Sequence, residues 1–157
     1  MNRIKIRRAQ ISDAEVVAHL WHNYDLYEHH LDKRIEVVSE ISYEKQFLEI
    51  MQNESSIVVL AECDSAVAGI IDYAVYSRGK LKIGTLGNLF VLDEFRGKGI
   101  GSELSEYVLN KIKRMECDFV NSGVRANNKE AQKFWEKRGF KIDFDSMANC
   151  SMRKELK

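Results

Sequence analysis

Leu89 to Ser102 reads Leu-Phe-Val-Leu-Asp-Glu-Phe-Arg-Gly-Lys-Gly-Ile-Gly-Ser, an apolar strand followed by a loop with glycine at 97, 99 and 101. Glycines let successive amides turn inward and let a ligand approach the backbone closely. A helix that starts directly after such a loop adds unpaired N–H groups and a partial positive charge, which suits a phosphate or pyrophosphate. Arg96 and Lys98 add positive side chains. Other phosphate loops fit less well. A Walker loop needs Lys-Ser or Lys-Thr after its last glycine, and a dinucleotide fingerprint needs G-x-G-x-x-G; neither pattern occurs here. A tight turn without a ligand is the remaining alternative for the loop taken alone.

The second informative stretch is Asn128-Lys129-Glu130-Ala131-Gln132-Lys133-Phe134-Trp135-Glu136-Lys137-Arg138-Gly139-Phe140. An R-x-x-G-x-G loop after a strand, followed downstream by N-x-x-A-x-x-F-[aromatic]-E-K-x-G-F, resembles the GNAT superfamily of acetyl-CoA-dependent N-acetyltransferases. Looser similarity runs from Ile4 through His29-His30-Leu31-Asp32 to Val59-Leu60-Ala61-Glu62, so the resemblance spans nearly the whole chain.

The resemblance implies that acetyl-CoA lies where a bulged fourth strand splays from its neighbour. That strand would be Leu81 to Leu92, with Gly84 and Gly87 able to host the distortion. Main-chain groups of Leu89, Phe90 and Val91 would pair with the pantetheine arm, and one of these amides would polarise the thioester carbonyl. Backbone N–H groups of Gly97, Lys98, Gly99, Ile100, Gly101 and Ser102, with Arg96, would hold the pyrophosphate. Asn128 matches the position beside the thioester. Many relatives have, where Trp135 stands, a tyrosine that protonates the departing thiolate. An indole cannot act as a general acid. Trp135 is therefore read as packing on a helix face with Ala131, Phe134 and Arg138, while lining the cofactor tunnel.

An amine of pKa ~10.4 is neutral at pH 7 in roughly one molecule in 2,500, so a base or water relay would help. Some relatives carry a Glu-Asp pair on the bulged strand; here the pair is Gly87-Asn88. Asp72, in the apolar run Gly69-Ile70-Ile71-Asp72-Tyr73-Ala74-Val75, is the candidate base, the alternative being an aspartate satisfied by its neighbours. Residues 21 to 54 are expected to cover the acceptor side. They hold Asp25, Glu28, Asp32, Glu36, Glu40, Glu44, Glu49 and Glu54 against Lys33, Arg34 and Lys45, a charge that would concentrate a small cationic or polyamine-like acceptor, the alternative being a solvated helix face. Acetylation of a protein amino terminus or lysine is an alternative within the same class. A CoA-binding sensor that has lost its catalytic groups is the alternative from another class.

The elements that must position these residues follow from periodicity. Ile4 and Ile6 mark a first strand, and Ser12-Asp13-Ala14-Glu15 has capping-box spacing for a helix to about Tyr24. A less regular region and a helix from Tyr43 to Met51 follow. Ser56 to Cys63, Ala66 to Tyr76 and Leu81 to Leu92 read as an antiparallel meander. Leu104, Val108, Ile112 and Met115 give the helix after the loop its apolar stripe. A strand from Phe119 to Val124, a helix from Asn128 to Lys137 ended by Gly139, and strands near Phe140 to Phe144 and Asn149 to Lys154 complete an α+β order. With the resemblance, this implies a mixed, mostly antiparallel sheet of about seven strands with about four helices.

A chain of 157 residues fits one domain, and 45% apolar with 31% charged residues is ordinary globular composition. Lys plus Arg equals Asp plus Glu at 24 each, so no overall field draws the chain to nucleic acid or membrane. Cys63, Cys117 and Cys150 are far apart and unpaired in spacing, and His22, His29 and His30 lack metal-ligand partners. Reduced thiols, no metal, a cytoplasmic location and a homodimer as one possible assembly are the expectations.

Overall fold

The computed structural model describes residues 3–145 and 149–157. Among them are eight strands and four α-helices, in a mixed α+β order. The chain falls into two compact units, one reaching to Tyr73 and including Asn88–Leu109, the other formed by Ala74–Gly87 and Asn110–Lys157.

In the first unit β1 (Ile4–Arg8), β2 (Ile57–Cys63) and β3 (Ala66–Arg78, its last residues in the second unit) pair antiparallel in that order. The first helix, α1 (Ala14–Leu31), is longer than the expected span to Tyr24. Its buried positions Ala14, Val17, Ala18, Trp21, Asp25 and Glu28 keep helical spacing throughout. The last two are acidic, so an apolar pattern stops short of them. The start also differs from expectation. Asp13, rather than Ser12, organises it: its carboxylate accepts from the Gln10 amide at 2.7 Å and holds Arg7 of β1 through two bonds. This pair lowers the Asp13 pKa, chiefly through the Arg7 hydrogen bond. Next, α2 (Glu40–Asn53) is capped by Ser39, whose hydroxyl accepts from the Ser42 amide. Val17, Leu20, Trp21, Tyr43, Phe47, Val58, Leu60, Ile70 and Phe90 form the core of this unit.

In the second unit, β4 (Leu81–Leu86) pairs parallel with β6 (Phe119–Arg125). The order continues through β8 (Asn149–Glu155) to β7 (Lys141–Asp145), both pairs antiparallel. Helix α3 (Ile100–Arg114), which begins in the first unit and ends in the second, buries Leu104, Val108 and Ile112 as expected, but Met115 lies one residue beyond it and is exposed. Helix α4 (Lys129–Glu136) ends with Gly139 at φ 86°, the left-handed stop expected of it.

The expected single strand Leu81 to Leu92 is two: β4 stops at Leu86, and β5 (Phe90–Val91) follows after three residues without regular structure. The distortion sits at Gly87-Asn88-Leu89 and leaves Gly84 inside the regular β4 ladder, opposite Val120. Gly84 is there for packing. A Cβ at this position would meet Ile112 Cγ2 at 2.6 Å, and Ile112 is fully buried. Gly84→Ala is therefore expected to cost roughly 1–3 kcal/mol of stability, read as a lower urea midpoint. Adding Ile112→Leu, which removes that Cβ branch, should recover part of the loss. An unchanged midpoint in Gly84→Ala would show that the helix yields freely at this contact.

Candidate active site

A strand of two residues exposes more backbone than it pairs, and β5 is such a strand. It lies antiparallel to β3 with Ile70 opposite Phe90 and Gly69 opposite Val91. The Leu92 amide donates to the Ala68 carbonyl at 2.9 Å. In an antiparallel ladder hydrogen-bonded pairs alternate with open ones. Phe90 and Leu92 therefore turn their polar groups to β3, and Val91 turns its N–H and C=O away from it. This corrects the expectation for Phe90, whose main chain is spent on the ladder. Gly69 allows the close approach: a Cβ there would stand 3.0 Å from the Phe90 carbonyl oxygen and 3.2 Å from Leu104.

The Phe90 ring packs against Tyr24 and Tyr27 of α1, with centroids 6.1 and 6.4 Å apart. Arg96 closes this cluster. Its Nε donates to the Val91 carbonyl at 3.0 Å, its Nη1 meets Asp93 at 3.2 Å, and its guanidinium lies 4.9 Å from the Tyr27 ring centre and 5.5 Å from that of Phe90. The sequence points Arg96 at a pyrophosphate; the structure turns it back onto β5 and α1. Lys98 remains exposed on the loop, its ammonium 5.1 Å from the Phe95 ring centre.

Gly97 and Gly99 have φ of 74° and 81°, the left-handed region that other residues enter at a cost. A Cβ on either would have open space around it, so no neighbouring side chain demands glycine there. The first intrahelical bond of α3 runs from the Glu103 amide to the Gly99 carbonyl at 3.0 Å. The amides of Ile100, Gly101 and Ser102 precede it, in the first turn where an α-helix leaves its donors to outside partners.

Asp72 is on β3 opposite Val58, which places it on the same face as Ile70 and the aromatic cluster. Its Oδ1 accepts from the Asn88 amide at 3.0 Å. Burial pushes its pKa up to about 6, opposed by hydrogen bonds from Asn88, Ser56 and its own amide. Sequence reasoning missed Asn88 as its partner. The donor is the main-chain N–H, so the residue type at 88 carried no signal of it. Tyr73, the next residue along β3, faces the other way by the same alternation, and burial raises its pKa.

The expected acidic cover over residues 21 to 54 is partly consumed internally. Asp25 accepts from the Tyr43 hydroxyl at 2.7 Å and from the Val38 amide at 2.9 Å. Asp32 binds Arg34, and Glu40 meets His19. Glu28 is buried, whereas Glu36, Glu44, Glu49 and Glu54 are exposed. His22 and His29 donate from Nδ1 to the carbonyls of Val38 and Ile35, each at 2.7 Å, and so strap the 32–39 segment to α1. Among the described residues no group of three or more His, Cys, Asp or Glu side chains could hold a metal ion. No helix among them is long and apolar enough to cross a membrane.

In the second unit, Asn128 is the N-cap of α4: its Oδ1 accepts from the Ala131 amide at 3.1 Å, and the residue is buried. Gln132, also buried, donates to the carbonyls of Arg125 and Ala126 and so fixes the turn before the helix. Trp135 is 3% exposed, its ring 5.0 Å from Phe134 and 5.1 Å from Phe140. The expected helix face holds, with Arg138 stacked on Phe134 at 3.5 Å.

This geometry has counterparts among known proteins. The acetyltransferase (GNAT) family model matches residues 23–140. An uncharacterised N-acetyltransferase of Archaeoglobus fulgidus is 29% identical over 91 residues, which is 55% of this chain and 60% of that protein. The chain thus spans less than two thirds of the length of the curated relatives it matches. Among solved structures, PaiA N-acetyltransferase from Thermoplasma acidophilum, in complex with coenzyme A, has the same fold. Its TM-score is 0.83 at 20% identity, covering 98% of this chain and 99% of that one. YncA from Salmonella typhimurium, solved with its cofactor acetyl-CoA, gives a TM-score of 0.75 at 15% identity, covering 98% and 94%. With the family match extending from α1 to the residue before β7, the chain belongs to the acetyltransferase (GNAT) family.

Proposed function

We propose that the protein is an N-acetyltransferase that moves an acetyl group from acetyl-CoA to the primary amine of a small cationic molecule. The observation that carries this reading is the loop at Gly97 and Gly99. Both residues hold left-handed φ with open space where a Cβ would be, directly before the first turn of α3. A bare backbone there fits a group that must approach the amides closely. Family membership and the two relatives solved with coenzyme A or acetyl-CoA support the same cofactor.

The amides of Gly97 to Ser102 would hold the pyrophosphate, aided by Lys98. Arg96, already engaged by Val91, Asp93 and Tyr27, would support β5 instead. The outward N–H of Val91 would polarise the thioester carbonyl, a role commonly worth ~3 kcal/mol. For Asn128 and Trp135, both buried at α4 in the second unit, the cofactor role rests on the sequence resemblance alone. Acetyl-CoA supplies an activated acyl group on a sulfur whose thiol pKa is ~8.5, a tolerable leaving group without a side-chain acid. The exposed Glu36, Glu44, Glu49 and Glu54 favour a cationic acceptor, though Asp25, Asp32 and Glu40 are spent on internal bonds. One observation favours a second reading, a CoA-binding sensor: Trp135 packs as a core residue where relatives place a proton donor.

Two measurements separate these. Acetyl-CoA is expected to raise the melting temperature, since a ligand at a hundredfold excess over its dissociation constant stabilises by ~2.7 kcal/mol. Thiol release with a panel of polyamines, aminoglycosides and lysine-like amines should then show turnover. No thermal shift at millimolar acetyl-CoA would sink the cofactor assignment; a shift without thiol release for any amine or peptide would leave the sensor.

A further inference from the structure

The main chain between β4 and β5 has left one ladder and not yet joined the next. Asn88 stands in the middle of this break, and its N–H goes to a side chain, the Asp72 carboxylate at 3.0 Å. A carboxylate is the stronger acceptor for a backbone N–H, because the bond is charge-assisted. Its charge is also the costly choice at a buried position, where a neutral acceptor would be easier to desolvate. Two ladder pairs and the Leu92 amide bond to Ala68 hold β5 to β3, a short attachment whose direction depends on what grips its ends. Arg96 grips the Val91 carbonyl at one end, and Asp72 grips the Asn88 amide ahead of the other.

We infer that Asp72 is a positioning residue: it fixes the Asn88 amide and thereby aims the outward N–H of Val91, three residues on. This rests on the reading above in which Val91 polarises the acyl carbonyl. Asp72 acts through the backbone and removes no proton from the amine. The distinction has a chemical consequence. A positioning acceptor can be replaced by another oxygen, whereas a base cannot.

The test compares Asp72→Asn, which keeps an oxygen of the same reach, with Asp72→Val, which has none. Asp72→Asn is expected to retain kcat within about tenfold, and Asp72→Val to lose it about a hundredfold with KM for acetyl-CoA little changed. Among the described residues, the groups that act on the carboxyl are the Asn88 amide, the Ser56 hydroxyl and the Asp72 amide, and none of them titrates near neutrality. The ionised form is the better acceptor, so wild-type kcat/KM should rise with pH through about 6, a limb that Asp72→Asn lacks. In the NMR spectrum the Asn88 amide proton should follow the same titration in the wild type and stay flat in Asp72→Asn. That reading needs neither substrate nor turnover, so it survives a failure of the proposed function. Asp72→Asn as inactive as Asp72→Val, with both folded, would make Asp72 the base and overturn the inference. So would an Asn88 amide that ignores the titration, or an Asp72→Val enzyme as active as wild type.

Discussion

Gly99→Glu abolishes acetyl-CoA binding and leaves the protein folded: this is the expected result at the loop before α3. The folded-state cost is a single residue forced to φ near 81°, roughly 1–2 kcal/mol for a side chain in the left-handed region. Part of it is offset, because a carboxylate at a helix amino terminus is favourable by ~0.3–1 kcal/mol. Nothing in the chain stands within 4 Å of the new Cβ, so no steric clash adds to this. The binding cost is of another size. The new carboxylate competes for the α3 amides and repels a pyrophosphate at the same spot, and calorimetry should show affinity reduced more than a hundredfold. Gly99→Ala provides the control, with the same backbone strain and no charge: a similar loss of melting temperature, but an affinity within about tenfold of wild type. Equal affinity for CoA in Gly99→Glu and wild type would remove the loop from the site.

What could be read in advance divides along physical lines. Elements with a strong period were legible: Leu104, Val108 and Ile112 announce α3, and the alternation of Ile4 and Ile6 announces β1. The expected spans of β2, β3, β6 and β8 lie within two residues of those observed. The end of α1 was hidden because the acidic Asp25 and Glu28 occupy buried positions, and the partners of Asp25, Tyr43 and Val38, lie beyond any local pattern. The division of β4 from β5 was hidden for a related reason. An apolar run from Leu81 to Leu92 looks continuous, and β3 borders both pieces; what separates them is the break at Gly87-Asn88-Leu89, beyond the end of the β4 ladder to β6. At the site, glycine spacing exposed the loop because backbone conformation constrains residue type directly. The role of Arg96 was not legible from type. A guanidinium serves a phosphate or an aromatic face equally well, and its contacts with Tyr27, Phe90 and the Val91 carbonyl join positions that no local pattern links.

Trp135 carries the second large effect. Its ring is 3% exposed between Phe134 and Phe140, and its carbonyl accepts from the amides of Arg138 and Phe140 at 2.9 and 3.1 Å, closing the end of α4. Trp135→Ala is expected to cost about 3–5 kcal/mol, enough to unfold a marginal domain, as the ring's contacts are lost and a cavity remains. Trp135→Phe keeps most of the apolar volume and the edge-to-face packing, so its loss should be smaller. Turnover in Trp135→Phe should stay within about tenfold of wild type, because the indole N–H is no acid and no proton donor disappears with it. By the same logic Trp135→Tyr, which supplies a phenol of pKa ~10, should give a small gain or none. The wild-type rate should then show no falling limb near pH 10 attributable to this position. A falling limb that persists in Trp135→Phe would reveal a different acid, with Tyr24 and Tyr27, both packed on Phe90 of β5, the first to substitute. A thousandfold loss of turnover in Trp135→Phe, with melting temperature and CoA affinity intact, would show that the indole takes part in the chemistry and that its packing role is secondary.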